Sequence, residues 1–217
     1  TWLIQPAEPY AAVQRYLTGT NILETTFRTA TAEAVLTDFM PVTAEGRPAG
    51  NHREIHRRLH GLRGEMPMRV RFMPRFEYGA RSTRIEVIGE GLFASDRTDQ
   101  VLTLASARPF EWRIEQGAAE TSFSLPAGDT RWLVLRHDDD DVHSVDRYES
   151  QRKLEETTAF WLRWSSKVRY TGPWRDAVER SALTLKLLTD CETGAVIAAP
   201  TTSLPETLGG IRNWDYR

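Results

Sequence analysis

The feature that most constrains the fold is a change of hydrophobic period close to an aspartate run, Asp138-Asp139-Asp140-Asp141. Before that run the apolar residues come in short stretches of strand type, separated by Gly and Pro turns. After it they recur at helical spacing. Such a chain has to place a β-rich unit first and helices second, because each kind of element must bury its own apolar face against a neighbour.

Asn21 to Phe27 alternates apolar and polar residues, Ala30-Thr31 marks a turn, and Ala34 to Met40 returns as a second strand that stops at Pro41. β-Branched and aromatic side chains support strands there. A polar, Gly/Pro-rich break runs from Thr43 to Gly50. Met66 to Phe72 is again strand-patterned, and Arg84 to Ile88 turns through Gly89-Glu90-Gly91 into Leu92 to Ser95. Val101 to Ala107 and Trp112 to Ile114 continue the series, and Glu120 to Leu125 is expected to pair with Arg131 to Arg136 across Pro126-Ala127-Gly128-Asp129. Trp2-Leu3-Ile4 opens the chain inside a strand-like run. The expectation is a mainly β fold, an antiparallel β-sandwich, with helices at its C-terminal side.

Two clusters invite a metal reading. His52, His56 and His60 recur every four residues, which on a helix would align three imidazoles. The run is short, ends at Gly61 and precedes a strand, so it reads as a strand on which His56, Arg58 and His60 share a face. Three arginines among these histidines would also repel a divalent cation. The aspartate run lacks the spaced ligands and turn glycine of an EF-hand and reads as a solvated linker. No metal and no cofactor is expected. Gly209-Gly210 lacks the spacing of a phosphate-binding loop.

Glu149 to Ser166 carries Leu154, Phe160, Trp161 and Trp164 among charged residues, an amphipathic helix whose two tryptophans read as packing. Tyr170-Thr171-Gly172-Pro173 ends it, and a second helix is expected from Pro173 to Cys191. Its stripe of Trp174, Val178, Ala182, Leu185 and Leu188 is widened by Ala177, Leu183 and Leu187, so it calls for packing partners on more than one side. Those partners are expected beyond Arg217. The lone Cys191 excludes an internal disulfide, fits a buried thiol and points to a cytoplasmic setting. A net charge of −2 gives no field for nucleic acid, and no apolar run is long enough to span a membrane.

Gly172-Pro173-Trp174-Arg175, Leu185-Lys186-Leu187-Leu188, and the run from Ala199 to Gly209-Gly210-Ile211-Arg212-Asn213-Trp214-Asp215-Tyr216-Arg217 resemble the start of the catalytic barrel of glycoside hydrolase family 15, the glucoamylases, glucodextranases and bacterial trehalases. Gln14-Arg15-Tyr16, Asn21 to Thr25 and Thr37 to Pro41 are similar to the β domain that precedes that barrel. The resemblance implies a sandwich over residues 1–137, an acidic linker and linker helix over 138–172, and the start of an (α/α)6 barrel over 173–217. It implies inverting, glucoamylase-like hydrolysis of the α-glucosidic bonds of oligosaccharides, with trehalase specificity in the same family as the alternative.

Inversion uses two carboxyl groups about 6.5–9.5 Å apart, one acting as acid and one as base on a water. The family's two glutamates follow the Asn-Trp-Asp-Tyr motif, so no catalytic residue is expected in this chain, and its partner would be the missing barrel. Tyr216 corresponds to a tyrosine that lines the subsite for the non-reducing glucose, with Asp215 and Trp214 beside it. Trp214 and Tyr216 either touch sugar or anchor their loop. The rival reading from another class is a β-sandwich that binds glycans or scaffolds a partner without catalysis.

Overall fold

The computed structural model describes residues 1–43, 46, 53–96, 100–106, 110–137 and 141–197. Its strands are β1 (Trp2–Pro6), β2 (Ala11–Tyr16), β3 (Leu23–Arg28), β4 (Glu33–Phe39), β5 (Arg53–Arg63), β6 (Glu65–Phe72), β7 (Arg84–Ile88), β8 (Gly91–Ser95), β9 (Val101–Ser106), β10 (Arg113–Glu115), β11 (Ala118–Pro126) and β12 (Thr130–His137). Helices α1 (Ser150–Ser165) and α2 (Arg175–Leu187) follow.

Among the described residues the strands form two antiparallel sheets. The smaller has the order β1-β6-β11-β10 and the larger β2-β3-β4-β5-β12-β9-β8-β7. Their inner faces meet in one apolar core that holds Val70, Phe72 and Ala119 of the small sheet and Leu36, Leu59, Leu104 and Leu133 of the large one. Each such side chain, taken fully from water, contributes about 1.5–3 kcal/mol before conformational entropy is counted. The β-sandwich with C-terminal helices expected from the sequence is therefore the observed fold.

One expected hairpin is not formed. β11 lies in the small sheet beside β6, whereas β12 lies in the large sheet beside β5. Pro126 to Asp129 is a corner and not a hairpin turn, and β5 and β6 bend in parallel with it at Gly64. The two bends are bonded together: Gly128 N donates to Gly61 O at 2.9 Å, and Gly61 N to Asp129 O at 3.0 Å. The backbones approach so closely that a Cβ on Gly61 would lie 2.3 Å from Pro126 O. Glycine is required there by space.

The larger sheet is also covered on its outer face. A 3-10 turn at Val145–Tyr148 packs Val145 and Tyr148 onto Ala105 and Val134, and α1 lays Leu154 against Ile22 and Phe39. Burial on both faces explains why β4 does not alternate cleanly. Further along α1, Phe160 and Trp161 pack with Leu183 of α2, and of the two tryptophans read as packing Trp161 is buried and Trp164 is half-buried against the same cluster.

α2 runs from Arg175 to Leu187 and is shorter than expected; it stops short of Cys191 because the chain turns at Asp190, whose Oδ1 accepts from the backbone N–H of Glu192 and Thr193 at 3.2 and 2.8 Å. Cys191 therefore lies in an exposed turn and not buried in a helix. No residue of the expected stripe is buried: Trp174 is 70% exposed, Leu185 is exposed, and Val178, Ala182 and Leu188 are half-buried, whereas the flanking Leu183 is the buried side chain and Leu187 is exposed. Among the described residues no helix is long and apolar enough to cross a membrane.

Candidate functional site

The covered centre of the large sheet concentrates the buried polar chemistry of the molecule. Strand parity puts Glu54, His56 and Arg58 of β5 on the outer face. The antiparallel register sets Arg136 opposite Glu54 and Val134 opposite His56 on β12, and Phe39 of β4 beside His56 on the other side. Helix α1 then closes over them, bringing Ser150 and Lys153 down from its first turn. His56 is 0% exposed, Ser150 5%, and Glu54 and Arg136 are buried with them.

Glu54 is the charged centre of this cluster. Lys153 Nζ donates to Glu54 Oε2 at 2.6 Å, and Arg136 Nε lies 3.6 Å from Glu54 Oε1. His56 Nε2 is 2.9 Å from Glu54 Oε2, and His56 Nδ1 is 2.8 Å from Ser150 Oγ. Phe39 packs on the imidazole at 5.1 Å between ring centroids, and Tyr148 meets it edge-on at 6.4 Å.

The network assigns the protons. Burial pushes the Glu54 carboxyl up, but the hydrogen bonds from His56 and Lys153 and the Lys153 charge outweigh it and hold the group below the usual carboxylate range. Glu54 is thus an ionised acceptor. His56 has to carry its proton on Nε2 to donate to it, which leaves Nδ1 to accept from the Ser150 hydroxyl. Burial lowers the His56 pKa below its ordinary value, against the pull of Glu54, so the ring is neutral.

Ser150, His56 and Glu54 stand in the order of a nucleophile, a base and an orienting carboxylate. Their burial denies them that chemistry, since a nucleophile must be reached by its substrate and Ser150 lies under its own helix. What the arrangement does is fix the first turn of α1 to β5 and β12. The same seat is extended further along the helix. Val42 N donates to Thr157 Oγ1 at 3.1 Å on α1. Arg180 Nη1 of α2 donates to Thr20 O at 2.8 Å and also binds Asn21 Oδ1, while Asn21 Nδ2 donates to Leu183 O at 3.0 Å.

Of the residues singled out from sequence, His56 and His60 lie on the strand, as the strand reading expects, and are separately engaged. His60 Nδ1 is 2.8 Å from Thr130 Oγ1, away from the His56 cluster. His52 and Asp138 to Asp140 lie outside the described residues, as do Gly209, Gly210, Trp214, Asp215 and Tyr216. The Glu54 cluster was missed. Its sequence signal is the i, i+2 pair Glu54 and His56 on one strand face, and nothing local announces that α1 covers that face.

The fold and the junction define a class: an antiparallel β-sandwich whose larger sheet serves as the seat for a following helical segment. The chain belongs to the trehalase-like N-terminal family, which it matches over residues 2–161. It is 32% identical over 206 residues to a trehalase of Thermoplasma volcanium, covering 94% of this chain and 32% of the relative. A trehalase of Thermoplasma acidophilum is 31% identical over 206 residues, covering 94% and 34%. A trehalase of Mycolicibacterium smegmatis is 32% identical over 229 residues, covering 95% and 34%. The chain thus spans about a third of the length of these relatives.

Proposed function

We propose that this chain is the N-terminal part of a glycoside hydrolase that cleaves an α-glucosidic bond, with trehalose as its substrate. The observation that carries the reading is the family match over residues 2–161 together with similarity to trehalases that continues past it, over 94% of the chain. That range takes in α1 and α2, so the similarity extends over the sandwich and the helices seated on it. The relatives' names favour trehalose over the maltose-type oligosaccharides of a glucoamylase.

In this reading residues 1–137 form the sandwich, 138–172 the linker and linker helix, and 173–217 the start of an (α/α)6 barrel. Exposed Trp174, Leu185 and Leu187 on α2 supply apolar surface for neighbouring helices of that barrel. Tyr216, with Asp215 and Trp214, forms one wall of the glucose subsite, the phenol ring lying on sugar C–H groups and its hydroxyl available for hydrogen bonding. The acid and base are two glutamates outside this chain. The sandwich contributes position: the Glu54, His56 and Lys153 contacts hold α1, and α1 with Arg180 holds α2 at the start of the barrel. A cytoplasmic setting fits the single cysteine, and fractionation of the source cells checks it.

The test is glucose release by the full-length parent from trehalose, maltose and isomaltose. Trehalose should be hydrolysed fastest. Release from maltose alone would replace the trehalase assignment with a glucoamylase one, and release from none would remove the hydrolase reading.

A further inference from the structure

The large sheet is wider than the small one, and the overhang makes a groove. β1 is an edge of the small sheet, while β2 and β3 continue past it from β4. Between the rim of β1 and the inner face of β2–β4 lies a cavity of about 410 Å³. That volume falls within the range of ~300–1,000 Å³ typical of small-molecule sites.

The floor is a cross-strand ion pair. Asp38 and Arg57 are register partners, with Arg57 Nε 3.2 Å from Asp38 Oδ1. Arg57 is further fixed by donating from Nη1 to Trp2 O at 2.7 Å and by stacking 4.2 Å above the Trp2 indole. The two charges cancel, so the floor is polar without net charge. The walls are aromatic and amide. Tyr10 stands edge-on to Phe27 at 5.5 Å and donates its hydroxyl to Gln5 Oε1 at 3.2 Å. Gln14 Nε2 donates to Thr25 Oγ1 at 3.1 Å. These bonds orient the two amides and use one end of each. Gln5 Nε2 as donor and Gln14 Oε1 as acceptor keep hydrogen-bonding capacity toward the groove.

The geometry points to a binding site for a neutral polyhydroxylated ligand, a mono- or disaccharide. A sugar hydroxyl is both donor and acceptor and so matches an amide N–H, an amide carbonyl and a closed ion pair. A pyranose also presents a C–H face that suits the aromatic walls. Because Asp38 and Arg57 are paired with each other, the floor offers no net charge to draw an anion or a cation in. The inference is independent of the proposed activity, because it is read from the groove's own lining and is tested by binding to this chain rather than by hydrolysis.

Calorimetric titration of the 217-residue chain with trehalose, maltose, glucose and glucose 6-phosphate tests it. At least one of the three neutral sugars should bind saturably and more tightly than the phosphate ester. The double variant Gln5→Ala/Gln14→Ala should weaken that binding at least about tenfold, with an unchanged melting temperature. Absence of saturable binding, tighter binding of the phosphate ester, or binding indifferent to the double change would each overturn the inference.

Discussion

Replacing Glu54 by Gln keeps the size of the side chain and removes its charge, which makes it a direct probe of the junction. The substitution leaves Arg136 buried, 4% exposed, beside a neutral amide; Lys153 is less enclosed and can turn toward water. Removing one partner of a buried ion pair costs about 3–5 kcal/mol, and the freedom of Lys153 places this case at about 3 kcal/mol. For a chain of 217 residues that is a fall in melting temperature of about 6–12 °C. The pH dependence has a definite sign. Glu54 titrates below its ordinary value when folded, so its contribution is full above the unfolded carboxylate pKa and is lost as pH falls through the folded one. His56 is also lowered, so its contribution is full above about 6.5 and fades as pH falls below that. Urea unfolding of wild type and Glu54→Gln across pH should show a gap of about 3 kcal/mol at pH 8 that closes once the wild-type carboxylate protonates. A gap below about 0.5 kcal/mol at pH 8, the level of an ordinary surface change, would refute the reasoning. So would a gap that is the same in acid.

Leu183→Ala should cost about 2 kcal/mol, the low end for a buried leucine because the outward side of α2 can collapse toward the gap. Hydrogen exchange should speed up in Arg175–Leu187 and not in β5; uniform loss of protection would contradict the seating described for α2. Gly61→Ala should cost about 3 kcal/mol by urea unfolding, since the new Cβ meets backbone and not a movable side chain; a neutral result would mean that the corner is more open than the structure shows. Cys191 should label fully with a maleimide in the folded chain, and protection until urea is added would contradict its exposed turn.

The strands legible in the sequence were those with one clear pattern. β3, β4 and β6 to β9 could be read because alternation and glycine turns agree. β2 was not read, because all six of its residues are exposed and it carries no apolar alternation. Pro126-Ala127-Gly128-Asp129 satisfies both a hairpin and a corner, and only the long-range pairing of β6 with β11 decides between them. The extent of α2 was overread because Leu188 continues its stripe, while the Asp190 side chain offers the backbone another partner. The junction was hidden for a simpler reason: Ser150 and Lys153 are 94 and 99 residues from the groups they bind. A polar residue on a strand reads as solvent-facing until its cover is known.

The central claim is that the sandwich belongs to an enzyme acting on trehalose, and one measurement reaches it directly. Purified full-length parent, assayed for glucose release from trehalose and maltose at matched concentrations, should hydrolyse trehalose in clear preference. Hydrolysis of maltose without trehalose, or of neither, would contradict it.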